Sequence, residues 1–492
     1  MNISKIRSYQ IEKEHEDCLK IYANLLCAFH KCDQIESRYL NIVAIFFPQL
    51  IKLLTGILLK RNELSNSYIF DSNLQLHNPL QNFPYIGYYE ILNQSLNISE
   101  KNYSPDYILN KKYRLLNYIG NFFLRKPKIA LYDLSCDTKY ITKRLIYKGY
   151  CPYFPSVEKL CIPNFYEQLD LLEESFDETV QQFDLPIKTC DIVQLFDKFC
   201  SSYLSNNNKS IIFDVLITGT LQNLEARILA AKARSQDIPV ISLSHGDGDQ
   251  LVVDEPRTGY GELTYSNIYI GYGEGGKKNI QNSKYLHSLF EEPYFVPANS
   301  DVCQQLYSHS QRIKSLSEYN DPTYMYVPTK YVDYLRYGPY HSMPDKLYYE
   351  WQKTIYAMFP DAIYKKHPKL FCYDTPFKKI INDNFKTCYE NADVFLFDVI
   401  ATAFNVAAAT DKPIIYFNLG VRNLHPEVIP LIKERCIWVD VRDNKSSRFI
   451  QLQIHSQRDK TLRNNYTRQF CIIDSDQKRE DAVITVVDSI LS

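Results

Sequence analysis

Two α/β domains facing one another across a cleft, each a parallel sheet wrapped by helices, with a helical extension at the N-terminus, are what this sequence predicts. Three observations carry that expectation. The chain has 492 residues, more than a single hydrophobic core usually serves. Short apolar runs alternate with helical patterns through residues 126–300, as βαβ units require. The same rhythm returns over 322–450.

Residues 1–125 read as a mostly helical N-terminal region packed on the first domain. Apolar side chains recur at helical spacing through Cys18, Leu19, Ile21, Tyr22, Leu25, Leu26 and Phe29. The stretch 64–105 is rich in Asn, Ser, Tyr and Pro without a period, which suits loops and short helices. Ile42–Leu59 is long and apolar, but Pro48, Gln49 and Lys52 interrupt it. A mid-span charge is expensive in lipid, so a buried or Pro-broken helix is expected there. The alternative is an interfacial helix making peripheral contact with the inner membrane.

The first α/β domain, 126–300, is expected to begin with the strand Lys128–Leu134. Strands at Ile211–Thr218, Ile238–Leu243, Asn267–Tyr272 and Tyr294–Val296 follow, with a helix over Leu221–Ser235. Residues 301–321 are read as a linker. The second domain, 322–450, is expected to hold strands at Tyr324–Thr329, Asp361–Lys366, Asp393–Phe397, Lys412–Asn418 and Cys436–Asp440. Helices over Lys346–Phe359 and Thr402–Ala409 lie between them. Residues 451–492 form a tail whose last helix, near Arg479–Leu491, crosses back onto the first domain.

Composition excludes some classes of function. The 56 Lys and Arg against 57 Asp and Glu give a net charge of −1, without the basic excess of a nucleic-acid binder. The 13 Cys form no CxxC pair, and Cys18, Cys27 and Cys32 match no zinc spacing. The charged start, MNISKIRSYQIEKEHEDC, has no apolar signal region. Reduced thiols and a cytoplasmic location are therefore expected, with a position peripheral to the inner membrane as the alternative.

Three motifs fall at predicted strand ends, where open α/β sheets bind their ligands. The first is Ser244-His245-Gly246-Asp247-Gly248-Asp249. Gly246 and Gly248 let the backbone turn tightly beside a ligand. His245 is a residue type suited to general acid–base work near neutral pH. The same residues would also serve an ordinary Gly-rich turn. Asp247 and Asp249 match a two-carboxylate cation pattern only weakly, and a solvated acidic turn is the expectation; no metal or other cofactor is expected. The second motif is Lys365-Lys366-His367-Pro368, which delivers cations and an imidazole that suit a phosphate, or else forms a plain polar strand end. In the third, Asp393–Pro413, Asp398 ends a strand and Thr402 sits near a helix start. Exposed N–H groups there favour a phosphate, unless Asp398 and Thr402 merely cap the helix. A fourth run, Gly271-x-Gly273-x-x-Gly276, fits the dinucleotide fingerprint. It lies mid-chain, without the acidic residue expected about 20 positions on at the end of a second strand, so no dinucleotide site is expected.

Together, the run Leu25–Arg61, HGDGDQ followed by YSNIYIGYGEGG, then YMYVPT, KKHP and DVIATAFNVAAATDKPIIYF resemble the family of surface-carbohydrate biosynthesis transferases. The last three also resemble the GT-B transferases of capsule and teichoic-acid synthesis, which use CMP-Kdo, CMP-sialic acid or CDP-glycerol. The resemblance spans most of 20–440. It implies a GT-B fold of two Rossmann-like domains, the first for acceptor and the second for donor. It implies a glycosyltransferase moving a sugar from a nucleotide-activated donor, a CMP-sugar by preference, to a glycan or lipid-linked acceptor of capsule or O-antigen type. His245 and Gly246 would lie at the cleft face, with His245 or Asp247 acting as the base. Lys366, His367, Pro368, Asp398 and Thr402 would surround the donor phosphate. Relatives often carry Gln where Ser244 stands, a second hydroxyl at Ala403 and a Glu at Val406. The departures at Ala403 and Val406 keep open an eroded GT-B scaffold that binds nucleotide or glycan; a nucleotide-sugar epimerase, which uses the same fold but would need a richer set of acidic residues in the cleft, is the other alternative.

Overall fold

The computed structural model describes residues 20–21, 24–25, 38–46, 126–134, 138–157, 159–183, 189–201, 203–205, 210–221, 223–244, 246, 249–252, 259, 262–281, 291–310, 312–329, 345–367, 375–420 and 424–492. They form two six-stranded, wholly parallel sheets. The first holds β1 (Lys128–Tyr132), β2 (Cys151–Tyr153), β3 (Val215–Thr218), β4 (Val240–Leu243), β5 (Ile268–Tyr272) and β6 (Tyr294–Ala298), in spatial order β2-β1-β3-β4-β5-β6. The second holds β7 (Tyr324–Val327), β8 (Ile363–Lys365), β9 (Lys379–Ile381), β10 (Val394–Phe397), β11 (Ile414–Asn418) and β12 (Ile437–Asp440). Its order is β9-β8-β7-β10-β11-β12, the doubly wound arrangement of a Rossmann-like domain. Two such domains make the GT-B layout expected from the sequence.

Parallel strands covered by helices on both faces bury every residue, so they read as unbroken apolar runs. In the first sheet Ala130, Leu216 and Val240 point to one side and meet the helices Phe165–Phe183, Thr189–Ser201 and Leu224–Arg234. Ile129, Leu131, Val215, Ile217 and Ile241 point to the other side. There they meet Ile141 and Leu145 of the helix Thr138–Tyr147, and Val483 and Val487 of the helix Arg479–Leu491. The last helix of the chain therefore completes the first domain. The second sheet is divided the same way. Met325, Phe395 and Ile414 face the helices Thr402–Ala408 and Val428–Arg435. Tyr326, Leu396 and Ile415 face the helices Asp345–Met358 and Ser447–Ser456.

The expected strands are present, trimmed at their ends except β6, which runs two residues past the expected Val296. Two more, β2 and β9, have three residues each, too few to show a period. The helices Thr138–Tyr147, Phe165–Phe183 and Thr189–Ser201 were not singled out in the sequence either. The segment read as a linker contains the helix Asp301–His309, whose Cys303 thiol donates to the Asn405 carbonyl at 3.6 Å.

Ile42–Phe46, the described start of the long apolar run, is 0–1% exposed and sits in the first domain's core. Asn41 caps it, its Oδ1 accepting from the Val43 and Ala44 amides at 2.9 and 3.1 Å. Gln168 accepts from the Ile42 amide and donates to the Leu40 carbonyl. This end of the run is core and not a membrane face, because its side chains are enclosed by the first domain and its first backbone groups are hydrogen-bonded within the protein. Residues 47–59 lie outside the described residues. No described helix is long and apolar enough to cross a membrane.

Candidate functional site

The second sheet changes winding direction between β7 and β10, and parting strands leave a crevice beyond their carboxyl ends. Val327 and Phe397 are paired at that point. A cavity of about 680 Å³ opens directly above them. Val327, Pro328 and Thr329 from β7 form one wall, and Phe397, Val399, Ala401 and Thr402 from β10 and its helix form another. Lys365 and His367 come from the end of β8, and the run Asn382–Lys386 comes from the end of β9. Thus four strand ends converge on one space. A size of several hundred Å³, apolar walls and a few converging polar groups are typical of a small-molecule site.

The cationic side of the cavity differs from the sequence expectation by one residue. Lys365 and Lys366 alternate across the sheet. Lys365 lines the cavity and Lys366 does not; the Lys366 amide continues the ladder by donating to Ile381 O at 2.9 Å. The Lys365 side chain is 4% exposed and its Nζ donates to the Lys366 carbonyl at 2.6 Å. Burial holds the Lys365 ammonium below its ordinary pKa, opposed more weakly by Cys388 and Asp383. His367 lines the cavity as expected of its position, while Pro368 lies outside the described residues. Asp383, Asn384 and Lys386 were missed. Their only signal is the polar run after a strand too short to recognise.

Asp398 is corrected more sharply. It was expected beside a phosphate, yet its carboxylate is 1% exposed on the opposite face of the sheet from the cavity. Phe397 takes the cavity side, so strand alternation turns Asp398 away. Three buried donors surround it. Tyr326 Oη donates to Oδ2, Tyr348 Oη lies 2.9 and 3.0 Å from the two oxygens, and Trp351 Nε1 donates to Oδ2 at 3.0 Å. Burial first, and then the neighbouring carboxylate, push the Tyr326 phenol well up, which keeps it a donor. Tyr348 Oη also accepts from the Thr329 amide at 2.9 Å. A chain of contacts therefore runs from Asp398 through Tyr348 to the cavity wall, and Asp398 positions that wall without touching the space.

Thr402 is the first residue of its helix, exposed, and lines the cavity. The N-cap is Ala401, which has no side-chain oxygen, so neither Asp398 nor Thr402 caps the helix. The other end of the helix is anchored by Arg435, which is fully buried. Its guanidinium donates to the carbonyls of Ala407, Ala408, Thr410 and Lys412 at 2.8–3.1 Å. Burial lowers it to about 10, still a cation at neutral pH.

The first domain reaches this cavity through the loop after β4. Gly246 faces Thr402 so closely that a Cβ on it would lie 2.6 Å from Thr402 Oγ1. His245, Asp247 and Gly248 lie outside the described residues. The two ends of their loop are held. Arg479, at the start of the final helix, donates to the Ser244 carbonyl at 2.8 Å and to the Tyr272 hydroxyl. Gln250 donates to the carbonyls of Tyr272 at 3.0 Å and Phe470 at 3.4 Å, and its own carbonyl accepts from Asn279 at 2.9 Å. Neither clamp shows in the sequence, since Arg479 and Phe470 are more than 200 residues from their partners.

The dinucleotide-like glycines have a different use. Gly273 has φ +63, and a Cβ there would collide with the Gln469 carbonyl. One on Gly275 would meet the Phe470 ring, and one on Gly276 the Gln250 amide. The close approach that Gly273 and Gly275 permit is made by residues 469–470 of the same chain, and that at Gly276 by Gln250, in place of a pyrophosphate.

No family model matches the chain, and no curated protein matches it. Among solved structures, it is similar to a glycosyltransferase from Rickettsia africae ESF-5, at 9% identity and TM-score 0.33 over 74% of this chain and 94% of that one. It is similar to the UDP-GlcNAc 2-epimerase from Neisseria meningitidis bound to UDP-GlcNAc, at 12% identity and TM-score 0.34 over 74% and 99%. The glycosyltransferase SnogD from Streptomyces nogalater gives 10% identity and TM-score 0.32 over 74% and 99%. Superpositions this loose carry no argument about chemistry.

Proposed function

We propose that this chain is a glycosyltransferase that moves a sugar from a nucleotide-activated donor, a CMP-sugar by preference, to a surface-polysaccharide or lipid-linked acceptor. The observation that carries the reading is the cavity at the β7/β10 crevice, with Lys365, His367 and Lys386 in its walls. Two lysines and an imidazole against one carboxylate, Asp383, favour an anionic ligand. The apolar walls suit the flat, less polar part of a nucleotide.

In this reading Lys365 and His367 offset the charge that develops on the leaving phosphate, and Thr402 adds a hydrogen bond. Such preorganised charge, aimed where charge appears in the transition state, is the main source of rate in phosphate departure. The acceptor enters from the first domain. His245 or Asp247, on the loop that Gly246 brings to Thr402, removes the acceptor hydroxyl proton as the glycosidic bond forms.

One observation favours a second reading. Ala403 and Val406 line the same cavity, where the resembled families often place a hydroxyl and a Glu. A scaffold that binds nucleotide without turning it over would show that pattern. An epimerase would need more carboxylates than Asp383, which stands alone among the described lining residues.

The test is a thermal-shift screen against CMP, CDP, UDP, GDP and their common sugars, since a ligand of the native state raises its melting temperature. A selective shift abolished by His367→Ala is expected. Release of free nucleotide only on addition of acceptor separates transfer from both alternatives. Absence of any nucleotide shift would overturn the reading.

A further inference from the structure

We propose that the outward face of the helix Thr138–Tyr147 docks this protein on an anionic lipid surface. The helix is anchored through its inner face, where Ile141 and Leu145 are fully buried against the first sheet and the final helix. Its outer face carries Tyr140, Lys143, Arg144 and Tyr147 at i, i+3, i+4 and i+7, which places them in one stripe. Lys139 and Ile146 flank that stripe, and Lys148 follows the last turn.

An ordinary surface helix turns polar residues to water. Here Tyr140 is 56%, Ile146 53% and Tyr147 85% exposed. Among the described residues eight large apolar side chains are exposed, and three of them sit on this one helix of ten residues. From Thr138 to Lys148 there are four cationic side chains, Lys139, Lys143, Arg144 and Lys148, and no carboxylate. The acidic groups facing it come from the neighbouring helix, where Asp481 pairs with Arg144 at 3.2 Å and Asp488 pairs with Lys148 at 3.3 Å. Those pairs engage Arg144 and Lys148 and link the helix to the final one.

Aromatic and aliphatic tips set among lysines, on a helix lying flat against its domain, match the layered chemistry of a bilayer surface. Tyr rings settle at headgroup depth with their hydroxyls in water, and Lys side chains reach the phosphates. Charge complementarity selects anionic headgroups, because each cation near such a surface strengthens binding. A nucleic acid fits less well, since the chain as a whole has net charge −1. The surface is separate from the Ile42–Phe46 run, which is buried, and docking there does not depend on the transferase reading.

The test is co-sedimentation of the full chain with vesicles of phosphatidylcholine alone and of phosphatidylcholine mixed with phosphatidylglycerol. Binding is expected only to the mixed vesicles and should weaken with added salt. Lys139→Glu with Lys143→Glu, and separately Tyr140→Ser with Tyr147→Ser, should each lower the partition coefficient at least about tenfold, in line with the per-residue contribution of basic residues at such surfaces. Both pairs are solvent-facing and should leave the melting temperature unchanged; if a pair does not, Lys143→Glu and Tyr147→Ser alone are read instead. Wild-type protein that stays in the supernatant with the mixed vesicles would overturn the proposal. So would charge-reversed protein that pellets like wild type, or a face that drives self-association of the chain without lipid binding.

Discussion

Gly246, just past β4 of the first sheet, and Thr402, the first residue of a helix in the second domain, face each other with no room for a methyl group between them. A Cβ on Gly246 would lie 2.6 Å from Thr402 Oγ1. The contact ties the loop that carries His245 to the wall of the cavity beside β10.

Gly246→Ala should therefore act through Thr402. Thr402 is exposed and can rotate, so the loss of stability should stay near 1 kcal/mol, the low end for inserting a methyl group into a close contact. Nucleotide binding should weaken, because the Thr402 hydroxyl is displaced from the cavity. In a Thr402→Ala background the added effect of Gly246→Ala should largely vanish. A double-mutant cycle on nucleotide affinity measures this coupling; additive losses would mean the two residues act separately.

Tyr348 links a buried carboxylate to the cavity wall. Tyr348→Phe removes its bonds to Asp398 and to the Thr329 amide, and should cost about 1–3 kcal/mol. Asp398→Ala should cost more, about 3–5 kcal/mol, because it strands three buried donors. Denaturant titration gives both values. Tyr348→Phe should also weaken nucleotide binding through Thr329.

In the proposed reading, Lys365 trades stability for ligand binding. Replacing a buried, desolvated cation by an apolar side chain is often neutral or stabilising by about 1–2 kcal/mol, so Lys365→Met should melt no lower than wild type while losing the nucleotide-induced shift. The pH dependence has a definite sign. Burial lowers the native pKa of Lys365 beneath its ordinary 10.5, so between those two values the unfolded chain binds more protons. Stability from this residue then rises with pH across that window. The difference in melting temperature between Lys365→Met and wild type should shrink as the pH rises towards 10.5.

Gly273→Ala should be costly without touching the cavity. Its φ of +63 disfavours any side chain, and a Cβ there would strike the Gln469 carbonyl. A loss of about 1–3 kcal/mol is expected from the backbone strain alone, with nucleotide affinity per folded molecule unchanged.

Much of the fold is legible in the sequence because parallel strands buried on both faces are continuous apolar runs. KIALY, VLIT, VISL and IIYFN announce β1, β3, β4 and β11 without help from their neighbours. The same logic places the motifs at strand ends and puts His367 and Thr402 on one cavity. β9 escaped because three residues on a half-exposed edge carry no period.

What the sequence by itself determined is where the chain turns from strand to loop, since composition and periodicity act over a few residues. Only the tertiary structure decided which way each strand-end side chain points. That choice selected Lys365 over Lys366 for the cavity and turned Asp398 into the core, because it depends on register and on the helix packed against each face. Tertiary structure also decided what the Gly271–Gly276 run accommodates. A glycine permits a close approach but does not name the partner, and for Gly273 and Gly275 the partner is residues 469–470, nearly 200 positions further along the chain.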